Sequence, residues 1–145
     1  MKESARLRDR FQVFVSHAST DTWLARQIAG HVKRCGAACF LDDNDIDHGD
    51  EFEETIRKAA KSSREMVLLL TPWATSHPYV WVEVGTFWHS KKRIVAVLHG
   101  LTAEEVSRSK LPVFLKGMHH VTLNEIDSYF AQLRRRVLKW TSDHA

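Results

Sequence analysis

Short apolar runs that do not alternate with polar residues, separated by stretches of helical period, constrain this chain more than any other feature. Met66-Val67-Leu68-Leu69-Leu70 and Ile94-Val95-Ala96-Val97-Leu98 are the clearest of them. A strand without alternation is buried on both faces, which is the pattern of a parallel sheet covered by helices. The same reading predicts strands at Phe11–Val15, Ala37–Leu41 and His119–Leu123. Between the strands, Leu24, Ile28, Val32 and Cys35 recur on one helical face, with Ser19, Thr20 or Asp21 available as N-cap and Gly36 as terminator. Phe52, Ile56, Ala59 and Ala60 mark a second helix, with Asp50 as its expected cap. A third helix opens at Pro78, which a first turn tolerates, and is expected to turn Val80, Val84, Phe87 and Trp88 inward. A short helix is expected near Ala103–Ser109, and a last one over Glu125–Trp140 that buries Ile126, Tyr129, Phe130, Leu133 and Val137.

Five β-α units with right-handed crossovers give a doubly wound α/β sheet with helices on both faces. The flavodoxin-like strand order 2-1-3-4-5 suits a chain of 145 residues, which is one domain's worth of sequence. That domain is expected to cover residues 11–145, behind a polar arm at 1–10. No run of 18 apolar residues occurs, and Met1–Arg10 is mostly charged, so neither a membrane span nor a secretory signal is expected. Cys35 and Cys39 flank a helix end and suit two buried thiols better than a disulfide, which predicts a reducing, cytoplasmic setting. Twenty-one basic against 18 acidic residues leave a charge of +3, too small an excess to argue for nucleic acid without a concentrated patch.

In the order 2-1-3-4-5 the winding reverses between strands 1 and 3, so a ligand crevice is expected beyond their carboxyl ends. Ser16-His17-Ala18-Ser19 and the segment Thr71–Glu83 fall there. The second crowds Trp73, Tyr79 and Trp81 around one carboxylate, Glu83, with Tyr79 one helical turn before it on the same face. A buried carboxylate beside aromatic walls suits cleavage of a glycosidic bond to a cationic leaving group. The sugar gains oxocarbenium character, the negative charge stabilises it, and a pyridinium departs neutral without a general acid. The plain alternative is a first-turn acid favoured by the helix dipole, with aromatics filling core.

Other clusters point less sharply. The acidic loop Asp42–Asp50 lacks the spacing and terminal glutamate of an EF-hand and reads as a solvated loop. His119 and His120 are adjacent on a strand, point to opposite faces and cannot share a zinc ion. Arg134-Arg135-Arg136 with Lys139 reads as a solvated basic face, or as an electrostatic docking surface. A response-regulator receiver is excluded, because Ser16-His17 and Thr71 stand where its acids and phosphoacceptor would be. A nucleoside deoxyribosyltransferase is a distant enzymatic alternative.

Three separated motifs then resemble the Toll/interleukin-1 receptor (TIR) domain in its bacterial form. They are Val13-Phe14-Val15-Ser16-His17-Ala18-Ser19, then Phe40-Leu41-Asp42 with Ile46 and Gly49-Asp50, then Leu69-Leu70-Thr71-Pro72 running through Ser76 and Pro78 to Glu83-Val84-Gly85. The resemblance implies the flavodoxin-like fold and an NAD+ glycohydrolase or cyclase, releasing nicotinamide and ADP-ribose or a cyclic isomer, in bacterial antiviral defence or signalling. It implies Glu83 as the catalytic glutamate, with Ser16, His17, Asp42, Phe52 and Tyr79 as substrate-binding residues. The loop Asp42–Gly49, with Asp45, Ile46, Asp47 and Gly49, would reach a neighbouring subunit in a head-to-tail assembly with other TIR domains. NAD+ would be substrate, with no cofactor and no metal; a sensor domain or partner protein is implied, and membrane or direct nucleic-acid contact is not. Two departures stand out. Tyr79 replaces the family's usual tryptophan, and Ala18-Ser19 replace a pair of arginines that some relatives carry near the pyrophosphate. The non-catalytic alternative is an adaptor, or a mimic of host TIR domains, that docks without chemistry.

Overall fold

The computed structural model describes residues 10–41, 49–109, 111 and 118–145, with the backbone alone at 49–53 and 79. Five parallel strands form one sheet in the order β2-β1-β3-β4-β5. They are β1 (Gln12–Ser16), β2 (Ala38–Leu41), β3 (Glu65–Leu70), β4 (Arg93–Leu98) and β5 (His120–Thr122). The described helices are α1 (Thr22–Arg34), α2 (Gly49–Ser62), α3 (Pro78–His89), α4 (Ala103–Arg108) and α5 (Ile126–Asp143). This is the flavodoxin-like order expected from the sequence.

The period-two alternation of the strands sorts the core into two layers. Val13, Val15, Val67, Leu69, Val95 and Val97 pack under α1 and α5, with Ile28, Val32, Tyr129, Leu133 and Val137. Phe14, Met66, Leu68 and Leu70 face the other way, against Ile56, Val80, Val84 and Phe87 of α2 and α3. Every residue of β1 and of β3 is buried, as continuous apolar runs demand. Glu65 in β3 is the charged residue among them: its carboxylate accepts from Tyr129 Oη at 2.7 Å and from Arg136 Nε and Nη2 at 2.9 Å each. Arg136 thus leaves the basic outer face expected of the last helix and reaches back into the sheet. Gly36, at φ +92°, ends α1, and its N–H donates to the Lys33 carbonyl at 3.0 Å.

Several boundaries differ from the sequence reading. Strand β5 is shorter, because Leu123–Glu125 turns into a 3-10 helix before α5. The helix after the acidic loop begins at Gly49, so Asp50 lies in its first turn rather than at its cap. Trp88 is 52% exposed, whereas Phe87 beside it is buried. Adjacent helical positions are about 100° apart, so only one of the two can face the sheet. Both cysteines are free thiols; Cys35 is buried and Cys39 partly so, and burial pushes the Cys39 thiol up to about 12. Among the described residues, no helix is long and apolar enough to cross a membrane.

Candidate active site

The reversal of winding falls between β1 and β3, whose registered neighbours run from Val13↔Glu65 to Ser16↔Leu68. Ser16 is the last residue of β1 and is 0% exposed. Alternation places its side chain on the layer of Phe14, the side covered by α2 and α3. Its hydroxyl makes no hydrogen bond among the described residues. Glu83 lies on α3, which packs over β1, β3 and β4, and is only 4% exposed between the buried positions Val80, Val84 and Phe87. Helix α3 starts at Pro78, so Glu83 is in the second turn and not the first. The dipole's stabilisation of an acid fades within the first turn. Dipole compensation therefore gives little reason for a carboxylate here.

His17 and Ser16 part company. One residue further along, His17 is buried on the α1 side, where Thr22 Oγ1 lies 3.4 Å from its Nε2. On that side the structure shows a bridge that sequence reasoning missed. Thr71 Oγ1 donates to Asp21 Oδ2 at 2.6 Å, and the Ala74 N–H donates back to Thr71 Oγ1 at 3.2 Å. Asp21 had looked like a cap for the first helix; its side chain caps nothing and instead ties the loop after β1 to the loop after β3. Fifty residues separate the partners, so no local pattern could announce the bond.

The aromatics divide. Trp81 is half-buried, and its indole N–H donates to the Thr75 carbonyl at 3.0 Å, closing the loop ahead of α3. Trp73 is 57% exposed after β3, and Trp23, not singled out from the sequence, is 71% exposed in the first turn of α1. Both stand at the carboxyl end of the sheet. Tyr79 is placed by its backbone in the first turn of α3, and Phe52 and Gly49 by theirs in the first turn of α2. Asp42, Asp45, Ile46 and Asp47 lie outside the described residues.

A doubly wound sheet with a buried acid on the helix after β3, and with the loops after β1 and β3 tied together across the switch point, defines an α/β domain of the flavodoxin-like kind. The family model for the TIR domain matches residues 13–138, and the chain belongs to that family. The TIR domain of the Toll-related receptor TRR-2 from Hydra magnipapillata is similar in structure: TM-score 0.64, 18% identity, covering 86% of this chain and 94% of that one. The CMP N-glycosidase BcmB of Clostridium botulinum is similar at TM-score 0.56 and 14% identity, covering 84% of this chain and 97% of that one. At these identities the likeness is one of fold. A search of curated proteins finds no match.

Proposed function

We propose that the chain is an enzyme that cleaves the bond between nicotinamide and ribose in NAD+, with Glu83 as the catalytic residue. The observation that carries this reading is the burial of Glu83 in the second turn of α3, the helix that follows β3. A carboxylate is expensive to bury. Its position in the TIR domain, where the resemblance assigns the catalytic glutamate, gives the cost a purpose.

In the step itself the ribose carbon–nitrogen bond breaks, and its electron pair goes to the pyridinium nitrogen, which leaves as neutral nicotinamide. The positive charge left on the ribosyl group develops opposite the Glu83 carboxylate, whose interaction is stronger in the transition state than with the bound substrate. Water then adds at that carbon and loses a proton, giving ADP-ribose; attack by a nitrogen of the adenine ring gives a cyclic isomer instead. Ser16, on the same side of the sheet, brings a hydroxyl to the floor of the crevice. Tyr79, one turn before Glu83, and Phe52 supply flat faces for the rings. Ala18-Ser19 bring no cation for the pyrophosphate, and the N-terminus of α1 with its exposed Ser19 takes that part. BcmB is an N-glycosidase on a similar fold, which agrees with chemistry of this class in such a scaffold. The domain is proposed to act in head-to-tail assemblies with other TIR domains, through Asp42–Gly49, in defence or signalling inside the cell and under the control of a sensor.

The test is incubation of concentrated protein with NAD+, following nicotinamide and ADP-ribose species by chromatography with mass detection. Release by the wild type and none by Glu83→Gln is expected. Absence of release, even at concentrations that drive assembly, would favour a docking module.

A further inference from the structure

The excess of three positive charges is not spread evenly by the fold. Helices of a doubly wound sheet run back against its strands, so their C-termini and the turns into the next strands gather at the sheet's amino-terminal edge. Three strand starts lie side by side there. The Arg64 N–H donates to the Gln12 carbonyl at 2.8 Å, and Glu65 is in register with Arg93. Two anchors draw the helical layers to the same edge. Lys92 Nζ donates to the carbonyls of Ala60, Lys61 and Ser63 at 2.7, 3.0 and 2.7 Å, fixing the end of α2. Tyr129 and Arg136 hold Glu65 and so fix the second half of α5, where the Arg64 guanidinium lies 4.9 Å from the centre of the Trp140 ring.

Lys92 and Arg136 are consumed in these anchors, and Arg136 neutralises Glu65. Arg10, Lys61, Arg64, Lys91, Arg93 and Lys139 remain exposed around the edge. A helix C-terminus carries only about half a negative charge, felt over its last turn. That accounts for Lys61, but Arg10, Arg64, Lys91 and Arg93 lie outside the helices.

Three of the described acids of the opposite edge are engaged locally and are poor partners for this face in a second copy. Glu104 pairs with Arg108, Glu105 closes a capping box with Thr102, and Glu125 accepts from Thr122. A bilayer fits poorly too. Among the described residues, Trp23 and Trp73 stand at the carboxyl end of the sheet, while the exposed Val82 and Trp88 on α3 and Leu138 on α5 lie on opposite faces of it, so they do not make one contiguous wedge.

We propose that the amino-terminal edge of the sheet binds nucleic acid through its phosphate backbone, without regard to base sequence. Six cations on a five-strand edge about 20 Å across match about six phosphates of one strand at roughly 3.4 Å per nucleotide. This proposal departs from the expectation drawn from net charge alone, on the ground that the fold gathers exposed cations that are scattered along the sequence. The binding face lies away from the crevice and does not depend on the reading of Glu83.

Fluorescence anisotropy of the full chain with short mixed-sequence oligonucleotides, single-stranded and duplex, tests it across a salt series. Affinity is expected to fall about 10²- to 10³-fold between roughly 50 and 200 mM salt, linearly on logarithmic axes. The triple variant Lys61→Gln/Arg93→Gln/Lys139→Gln is expected to bind at least about tenfold more weakly, with a slope shallower by about two to three. The charge-keeping set Lys61→Arg/Arg93→Lys/Lys139→Arg is expected to bind like the wild type, which separates charge from folding. No binding at the lowest salt, equal binding by the neutral triple variant, or capture by phosphatidylserine vesicles but not by oligonucleotides would overturn the proposal.

Discussion

Thr71 shows how one hydroxyl can hold two loops. It follows β3, is fully buried, and spends both its hydrogen-bonding roles across the switch point, donating to Asp21 and accepting from Ala74. Replacing it by valine keeps shape but leaves a buried carboxylate short of a partner. Thr71→Val is therefore expected to cost about 1–3 kcal/mol in urea unfolding. Thr71→Ser, which retains the donor, is expected to recover most of that. Gly36 is constrained differently. Its φ of +92° is strained for any side chain, and an added Cβ would meet Val137 Cγ1 at 3.3 Å. Gly36→Ala is expected to lower stability by about 1–2 kcal/mol in the same measurement, because α1 would lose its terminating conformation.

Among the elements, α5 is the one most tied to the sheet by polar groups. Leu133 and Val137 give it an apolar seam, and Tyr129 and Arg136 add a charged clamp on Glu65. Burial, and then the Glu65 charge, raise the Tyr129 phenol well above its ordinary value of 10.0. The folded state thus holds that proton more tightly than the unfolded chain does. This contribution is full below about pH 10 and is lost as pH rises through the folded value. The thermal midpoint is expected to fall on the alkaline side of pH 10, and Tyr129→Phe is expected to flatten that limb while lowering the midpoint at neutral pH. The sequence showed where α5 lies, since Tyr129, Leu133 and Val137 recur at helical spacing. It did not show the clamp, because nothing near Glu65 in the chain names Arg136, 71 residues on, as its partner. The pair Phe87–Trp88 failed for a related reason: both are apolar, and only the helical angle decides which one the sheet can bury.

At the scale of the molecule, the strand order was legible because parallel strands buried on both faces leave an unbroken apolar signature, and short crossovers permit few topologies. The carboxyl edge followed from that order, and with it the place of Ser16 at the end of β1 and of Glu83 on the helix after β3. What stayed hidden was the Asp21–Thr71 tie and the gathering of cations at the far edge, both of which depend on tertiary contact, whereas the split between Ser16 and His17 follows from the alternation of a strand. The molecule that results is two-ended, with the tied loops after β1 and β3 at one edge of the sheet and a basic rim at the other. Glu83 is proposed to be buried for chemistry. The most direct measurement is the initial rate of nicotinamide release from NAD+ by wild type and Glu83→Gln at equal protein concentration, with thermal unfolding of both recorded alongside. A fall of about 10²- to 10³-fold or more in rate, with the fold and the unfolding midpoint of the variant retained, is predicted. Release that survives the substitution would contradict the account.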